Sequence, residues 1–196
     1  MTTVAIIPAR GGSTRIPRKN IKPFYGLPII AYSIMKAQLS NLFDRIVVST
    51  DDEEIASVAR HYGAEVFLRS VANGRNCVGT QEVTRECALG IGLDRGDMVC
   101  CIYATAPLMS IADLRRGHGI MHDSIGVHFA FSVGADPLHD AGQFYWGYAH
   151  SFLNRAPLIS PNTRMVPISH LRDCDINVPA DWAKAEQLYG RLPSDE

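Results

Sequence analysis

Residues 4–20 read VAIIPARGGSTRIPRKN, and this stretch decides the fold. Val4–Ile7 is an apolar run rich in β-branched residues, which predicts a buried strand. Residues 8–20 then form a long loop with two adjacent glycines, and a helical pattern follows over Ile29–Leu39. A strand, a loop and a helix in this order predict the first unit of a parallel α/β sheet.

The rest of the chain repeats this alternation. It predicts strands at Arg45–Ser49, Glu65–Leu68, Met98–Tyr103 and Phe129–Val133, and helices at Asp52–His61, Gln81–Gly90, Ile111–His122 and Pro179–Tyr189. Short connections between such elements predict an α/β fold with a doubly wound, mostly parallel sheet and helices on both faces. Residues 134–140 are a candidate irregular crossing, and Phe144–Trp146 is a candidate late strand. Ligands bind such sheets at the carboxyl ends of the strands, and residues 8–20 follow one of those ends.

Three features predict where helices begin. Asp51 followed by Glu54, and Ser110 followed by Asp113, resemble capping arrangements. Pro179 suits the first turn of the last helix.

Length and composition predict one soluble domain spanning residues 1–196. The chain has a mass of 21.5 kDa and 46% hydrophobic residues, enough for one well-buried core. It has neither an apolar run long enough for a membrane span nor the pattern of a signal peptide, so we expect a cytosolic protein. The five cysteines show no Cys-x-x-Cys spacing, which favours buried reduced thiols over disulfides or a zinc site.

Charge is distributed unevenly along the chain. No acidic residue precedes Asp44, whereas six basic residues do, and the remainder carries 13 basic against 20 acidic residues. Such polarity within one small domain favours a local anion site over a nucleic-acid surface. The alternative is a chance cluster of cations on a solvated loop.

The loop after the first strand has the chemistry of a phosphate site. Gly11 and Gly12 lack side chains, so backbone amides can approach an anion closely. Arg10 offers a planar fork to phosphate oxygens, and Lys19 offers a compact positive charge. The loop matches neither a Walker A sequence nor a dinucleotide fingerprint. A tight turn with its arginines in solvent is the alternative interpretation.

Four ordered motifs resemble the acylneuraminate cytidylyltransferase family. Pro8-Ala9-Arg10-x-Gly12-Ser13 with Pro17-x-Lys19-Asn20 resembles the family signature, and residues 48–56 (VSTDDEEIA) resemble its next landmark. Residues 101–107 (CIYATAP) and 139–147 (HDAGQFYWG) resemble the pseudaminic acid cytidylyltransferase branch. The resemblance runs from about Val4 to Tyr189, nearly the whole chain.

The resemblance implies a Rossmann-like, glycosyltransferase-A-like nucleotidyltransferase that transfers CMP from CTP to a nonulosonic acid, releases pyrophosphate and uses Mg²⁺. By motif position, the nucleotide would contact Ala9, Arg10, Gly11, Gly12, Ser13, Lys19, Asn20 and Arg69. The sugar side would be lined by Thr105, His139, Asp140 and Gln143. Asp175 would hold the metal together with Asn177, and the catalytic residues would be Arg10, Lys19 and Asp175.

The sequence also departs from the family pattern. Thr14 stands where the family usually has Lys, Asn177 where it has Asp, and Val178 where it has Thr; the segment after Arg69 also differs. Relatives use the arm near residues 134–147 for dimerisation and for contacts to the neighbouring sugar site. The resemblance therefore implies a possible homodimer, but the arm is shortened here, which counts against dimerisation. Two alternatives follow: a catalytically impaired nucleotide-binding homologue or regulatory module, and a nucleotidyltransferase for another sugar acid.

Three other features have simpler interpretations. His118 and His122 lie one helical turn apart, and we interpret them as a solvated helix face in preference to a metal site. Cys100 and Cys101 are expected to pack on opposite sides of a buried strand. The aromatic residues 144–146 are expected in the core in preference to a ligand site.

Overall fold

The computed structural model describes residues 1–69, 79–134 and 139–193. Within these ranges the strands are β1 (Thr3–Pro8), β2 (Pro23–Phe24), β3 (Leu27–Pro28), β4 (Arg45–Thr50), β5 (Glu65–Leu68), β6 (Met98–Ile102), β7 (Phe129–Val133), β8 (Asp140–Tyr148) and β9 (Thr163–Pro167). The α-helices are α1 (Ile29–Ser40), α2 (Glu53–His61), α3 (Thr80–Gly90), α4 (Ile111–Asp123), α5 (Ala149–Leu153) and α6 (Pro179–Tyr189).

A seven-stranded sheet in the order β5-β4-β1-β6-β8-β7-β9 forms the centre of the molecule. β8 runs antiparallel to β6 and β7, and the other neighbouring pairs are parallel. The chain moves outward from β1 to β5 and then returns to β6 on the other side of β1. Strand order therefore reverses between β1 and β6, and the loop that follows β1 lies at the position where such sheets bind ligands. The predicted fold class is confirmed.

Helices cover both faces of the sheet, as predicted. Ala5, Ile7 and Cys100 point into the core shared with α1, α2 and α4. Val4, Ile6 and Cys101 belong to the core on the other face, shared with α3 and α5. The two adjacent cysteines thus pack on opposite sides of β6, as expected. The aromatic residues 144–146 of β8 are at most 1% exposed, so they belong to the core, as expected.

Four elements were missed by the sequence analysis: the hairpin β2–β3, a 3₁₀ turn at Lys19–Ile21, α5 and β9. β9 is the edge strand, and three of its five residues are exposed, so it lacks a long apolar run. The candidate late strand is longer than predicted, because β8 begins at Asp140, which the sequence analysis placed in an irregular crossing. Residues 135–138 of that crossing, and of the arm near 134–147, lie outside the described residues.

The helix caps differ from the prediction at one position. Ser110 caps α4 by accepting a hydrogen bond from the Asp113 amide at 3.1 Å, as predicted. The cap of α2 is Asp52, which accepts from the Ile55 amide at 3.0 Å, so the prediction of Asp51 was wrong by one residue. Pro179 begins α6, and the Asp181 carboxylate accepts from the amide of Val178 at 2.8 Å. Asp181 thereby satisfies the amide of the cap residue, whereas the valine side chain cannot accept from the amides of the first turn.

None of the helices in the described ranges is long and apolar enough to cross a membrane.

Candidate active site

Carboxylates at the end of β4 hold the loop that follows β1. The Gly11 amide donates to Asp51 Oδ1 at 2.9 Å. Arg18, whose φ of 54° is left-handed, pairs with Asp52 at 2.5 Å. Asn20 Nδ2 donates to the Arg10 carbonyl oxygen at 2.9 Å and closes the loop on itself. These contacts fix the backbone from which the loop cations extend.

Gly11 and Gly12 have different roles in this loop. A Cβ on Gly11 would lie 2.4 Å from Asp52 Oδ2, so only glycine allows the loop to pack against the end of β4. The Gly11 amide binds Asp51, and the Ser13 amide donates to the Gly11 carbonyl oxygen at 3.0 Å. A Cβ on Gly12 would meet no atom within 4 Å. The Gly11 amide is therefore bound by a carboxylate of the protein itself, and Gly11 shapes the loop.

The loop forms one wall of a cavity of about 250 Å³, called the basic cleft below. Six of its lining residues were predicted at the site: Arg10, Ser13, Lys19, Asn20, Arg69 and Thr105. The other six were not predicted as site residues: Pro8, Gly79, Thr80, Val83, Tyr103 and Ala104. The cleft thus joins the ends of β1, β5 and β6 to the N-terminus of α3, where amide groups and the helix dipole favour an anion. Ala9, also predicted, is fully buried, and its amide donates to the Ser49 carbonyl oxygen.

Arg69 closes the cleft from the end of β5. Its side chain is only 3% exposed, and its guanidinium lies 3.9 Å from Asp51 Oδ1. Burial lowers the pKa of Arg69, while Asp51 opposes that shift. An arginine stays protonated even so, because its ordinary pKa is above 12. Asp51 therefore contacts both the loop and Arg69 and sets their relative positions.

Lys19 lies between the cleft and the segment that precedes α6. Its Nζ donates to the Ile176 carbonyl oxygen at 2.6 Å. Burial lowers the pKa of Lys19; the nearby Asp175 raises it, and Arg15 lowers it further. The ammonium has three donors, so the bond to Ile176 leaves two for other acceptors.

A second cavity of about 300 Å³, called the acidic cavity below, is lined by His139, Asp140, Asp173, Cys174, Asp175, Asn177, Asp181 and Lys184. Asp140 accepts hydrogen bonds from the Tyr103 hydroxyl at 2.8 Å and from the Gly142 amide at 2.9 Å. Burial raises the pKa of Asp140. Because Tyr103 lines the basic cleft, its bond to Asp140 connects the two cavities.

The four predicted sugar-side residues do not share one surface. His139 and Asp140 line the acidic cavity, whereas Thr105 lines the basic cleft. Gln143 is 1% exposed and lines neither; its Nε2 donates to the Arg172 carbonyl oxygen at 2.6 Å. Gln143 Oε1 has no hydrogen-bond partner among the described residues. In this structure Gln143 supports the wall and does not face either cavity.

Of the two predicted metal ligands, Asp175 and Asn177, one has the chemistry and orientation to bind Mg²⁺. Mg²⁺ prefers oxygen ligands and is commonly held by one or two carboxylates together with substrate phosphates and water. Asp175 meets that requirement. Asn177 turns its amide nitrogen toward Asp175, at 2.5 Å from Oδ2, while its Oδ1 accepts from Arg15 at 3.1 Å. In the described ranges, no three histidine, cysteine or acidic side chains are grouped to hold a metal.

The two helical histidines are explained by local contacts. The His118 ring packs against the Trp146 ring with 5.2 Å between their centroids, and burial lowers the pKa of His118. His118 therefore does not lie on a fully solvated helix face, which differs from the expectation. His122 Nδ1 lies 2.9 Å from Asp123 Oδ1.

Comparison with known proteins identifies the family. A sequence model described as cytidylyltransferase matches residues 4–118, which carry the loop, Arg69 and the end of β6. The chain belongs to the cytidylyltransferase family. It is a CTP-dependent nucleotidyltransferase by family, and the matched region contains every residue that lines the basic cleft.

Individual relatives extend the match beyond residue 118. The pseudaminic acid cytidylyltransferase of Campylobacter jejuni is 33% identical over 224 aligned positions that cover 96% of this chain and 97% of the relative. A CMP-N,N'-diacetyllegionaminic acid synthase of C. jejuni is 56% identical over 68 residues, which are 35% of this chain and 29% of the relative. The 224 aligned positions exceed the 196 residues of the chain, so the first relative has at least 28 residues without a counterpart here.

Solved structures agree on the fold. The structure of CMP:2-keto-3-deoxy-manno-octonic acid synthetase complexed with CTP superposes with a TM-score of 0.77, at 15% identity, covering 97% of this chain and 99% of that one. A cytidylyltransferase from Leptospira borgpetersenii superposes with a TM-score of 0.76, at 17% identity, covering 99% of this chain and 89% of that one. At these identities the likeness supports the architecture alone.

Proposed function

We propose that this cytidylyltransferase transfers CMP from CTP to a nonulosonic acid of the pseudaminic type and releases pyrophosphate. The observation that carries the proposal is the arrangement of two cavities at the switch point of the sheet. One cavity has fixed cations and the other has carboxylates and a histidine, and both Lys19 and the Tyr103–Asp140 bond lie between them. Such a pair suits one phosphate-bearing and one hydroxyl-bearing substrate.

The basic cleft is the proposed CTP site. Arg10, Lys19 and Arg69 would face the phosphates, with Ser13 and Asn20 beside them. Fixed cations stabilise charge that shifts toward the leaving oxygen, and this positioning supplies most of the catalysis in phosphoryl and nucleotidyl transfer. Since the carboxylates that follow β4 hold the loop, these charges are in place before the substrate binds.

The acidic cavity is the proposed site of the sugar acid, with His139 and Asp140 as contacts to hydroxyl or amide groups. The anomeric hydroxyl oxygen would form a bond to the α-phosphorus, and the bond from that phosphorus to the bridging oxygen of pyrophosphate would break. The hydroxyl proton would pass to a water molecule as the new bond forms. Lys19 would stabilise the negative charge that develops on the departing pyrophosphate.

Mg²⁺ is the proposed cofactor, and when bound it would neutralise charge on the triphosphate. Asp175 would hold it on the protein side. Asp175 lies close enough to Lys19 to raise the pKa of that lysine, so the proposed metal ligand and the loop cation would act on the same part of the substrate.

A second candidate function is nucleotide binding without catalysis, in a homologue that binds CTP but does not transfer CMP. Thr14 removes one cation from the loop and Asn177 removes one negative charge from the metal motif. A transferase for another sugar acid differs only in the acceptor.

Pyrophosphate release separates these functions. The protein is incubated with CTP, Mg²⁺ and a panel of acceptors that includes pseudaminic, legionaminic and sialic acids and 3-deoxy-manno-octulosonic acid. The proposal expects release with pseudaminic acid at the highest kcat/KM. A thermal shift with CTP but no release with any acceptor would favour the non-catalytic homologue. Highest turnover with another acceptor would reassign the sugar.

A further inference from the structure

The amide of Asn177 has only one orientation that satisfies its neighbours. Its Oδ1 accepts from Arg15 Nη2 at 3.1 Å, and its Nδ2 donates to Asp175 Oδ2 at 2.5 Å. A guanidinium can only donate, and an ionised carboxylate can only accept. Turning the amide over would place nitrogen against the arginine and oxygen against the carboxylate, so both bonds would be replaced by repulsion.

The backbone around Asn177 is also held. Its amide nitrogen donates to Asp181 Oδ2 at 2.8 Å, and the preceding Ile176 is fully buried. The Ile176 carbonyl oxygen accepts from Lys19 Nζ at 2.6 Å. Two cations of the loop after β1, Arg15 and Lys19, are therefore bound to consecutive residues of the segment before α6.

These contacts oppose a divalent ion at this position in the absence of a nucleotide. Beside Asn177 the ion would meet the Asp175 carboxylate, of which one oxygen already accepts from Asn177. It would also meet the positive charge of Arg15 on the far side of Asn177, and nearby cations weaken the binding of another. A triphosphate in the basic cleft changes this balance, since its oxygens both ligate the ion and neutralise the loop cations.

We propose that Asn177 is not a metal ligand but a positioning residue, which ties Arg15 to the Asp175 segment, so that the divalent ion enters only together with CTP. This deepens the proposed function, because it takes CTP to be the nucleotide in the basic cleft. In this protein the ion is held by Asp175 and by the phosphates, and Asn177 fixes the position of the loop relative to the metal ligand.

Direct metal binding tests this proposal without measuring turnover. Mn²⁺ is used as the probe, and its free concentration is followed by electron paramagnetic resonance, with and without CTP. The variants are Asn177→Asp, Asn177→Ala and Arg15→Ala, with Asp173→Asn as a control that removes an acid from the same cavity. Circular dichroism and thermal unfolding confirm that each variant folds.

The expected results differ between variants. The wild-type protein should bind Mn²⁺ at least about tenfold more weakly without CTP than with it. Asn177→Asp adds a carboxylate oxygen and should strengthen CTP-free binding by about tenfold or more, since one added charge near an ion is a large electrostatic effect. Asn177→Ala frees the Asp175 oxygen that Asn177 occupies, so it should not weaken CTP-free Mn²⁺ binding, and it should weaken CTP binding. Arg15→Ala should strengthen CTP-free binding, because it removes a cation and releases Asn177 Oδ1.

Two outcomes overturn the inference. One is Mn²⁺ binding by the wild type that is as tight without CTP as with it, because the ion would then enter without the nucleotide. The other is unchanged CTP-free binding in both Asn177→Asp and Arg15→Ala. Failure of the proposed function looks different: no variant binds CTP or Mn²⁺–CTP, while Asn177→Asp still gains CTP-free Mn²⁺ binding.

Discussion

The basic cleft and the acidic cavity adjoin each other but are built in opposite ways. In the basic cleft, carboxylates behind the loop bind its backbone and Arg18, so the carboxylates face inward and several cations line the space. In the acidic cavity, backbone amides and a tyrosine bind the carboxylates that line the space themselves. The first arrangement presents fixed positive charges, which suit an anion. The second has more negative than positive side chains and suits a ligand that offers hydroxyl or amide donors.

Two contacts couple the two cavities. Lys19 lines the first cavity and interacts electrostatically with Asp175 of the second. Tyr103 lines the first and donates to Asp140 of the second. Changes at these two contacts should therefore affect catalysis more than changes deep within either cavity.

The largest effect is expected from Lys19→Ala. The change removes the cation at the junction, and loss of one preorganised donor of this kind typically costs about 10²–10³-fold in turnover. Thermal unfolding should change little, because the lysine is not part of the hydrophobic core. Lys22→Ala is the matched control, since Lys22 stacks on the Trp182 ring at 4.4 Å, outside both cavities. Equal pyrophosphate release by wild type and Lys19→Ala would contradict the role given to Lys19.

Gly11→Ala should have the next largest effect. The new Cβ would lie 2.4 Å from Asp52 Oδ2, so either the loop or the start of α2 must move. Overpacking of this kind costs about 1–3 kcal/mol of stability, and displacement of Arg10 should weaken CTP binding. Gly12→Ala is the control, because its Cβ would meet no atom within 4 Å. Chemical denaturation and CTP titration of both variants test the contrast, and a Gly12→Ala protein destabilised as strongly as Gly11→Ala would contradict it.

Part of this site could be predicted from sequence because it depends on local order. A strand followed by a cationic, glycine-containing loop places Arg10 and Lys19 at the carboxyl edge of the sheet whatever the distant residues are. The roles of Gly11 and Asn177 could not be predicted in this way. The Gly11 amide depends on a carboxylate 40 residues away, and the orientation of Asn177 depends on an arginine 162 residues away.

Tyr103 was missed for a different reason. It directly follows β6 and lies in the motif at residues 101–107, but a tyrosine at the end of an apolar strand also fits the core. Its position beside the end of β1 was the available signal, because β1 and β6 are neighbours at the switch point. The edge strand β9 gave no comparable signal, since most of its side chains are exposed.

Tyr103→Phe sharpens the comparison at the second contact between the cavities. It removes the donor to Asp140 while keeping the ring, and a hydrogen bond to a charged group is worth about 1.5–3 kcal/mol. We expect the KM for the sugar acid to rise by about tenfold or more, by the usual 1.4 kcal/mol per factor of ten, with a smaller change for CTP. Tyr148→Phe, which removes a hydroxyl bound to the Met121 carbonyl oxygen, is the control. An effect confined to CTP would place the role of Tyr103 entirely in the basic cleft.

The smallest expected effect is in the pH dependence. Burial lowers the pKa of Lys19 below its ordinary value of 10.5. If the protonated ammonium is needed for CTP, kcat/KM for CTP should fall as pH rises through a pKa below 10.5, since this parameter reports groups of the free enzyme. Lys19→Arg keeps its proton at higher pH, so this alkaline limb should move upward or disappear, although the absolute rate is lower.

Stability distinguishes this effect from alkaline unfolding. Where the native state holds fewer protons than the unfolded state, stability increases with pH. Lys19 meets this condition between its lowered pKa and 10.5, so its own contribution to stability grows over the window in which activity falls. The difference in thermal stability between wild type and Lys19→Arg should therefore shift in favour of the wild type as pH rises. If the wild-type protein instead loses activity while its thermal stability falls relative to Lys19→Arg, then unfolding, and not deprotonation of Lys19, causes the alkaline fall in kcat/KM.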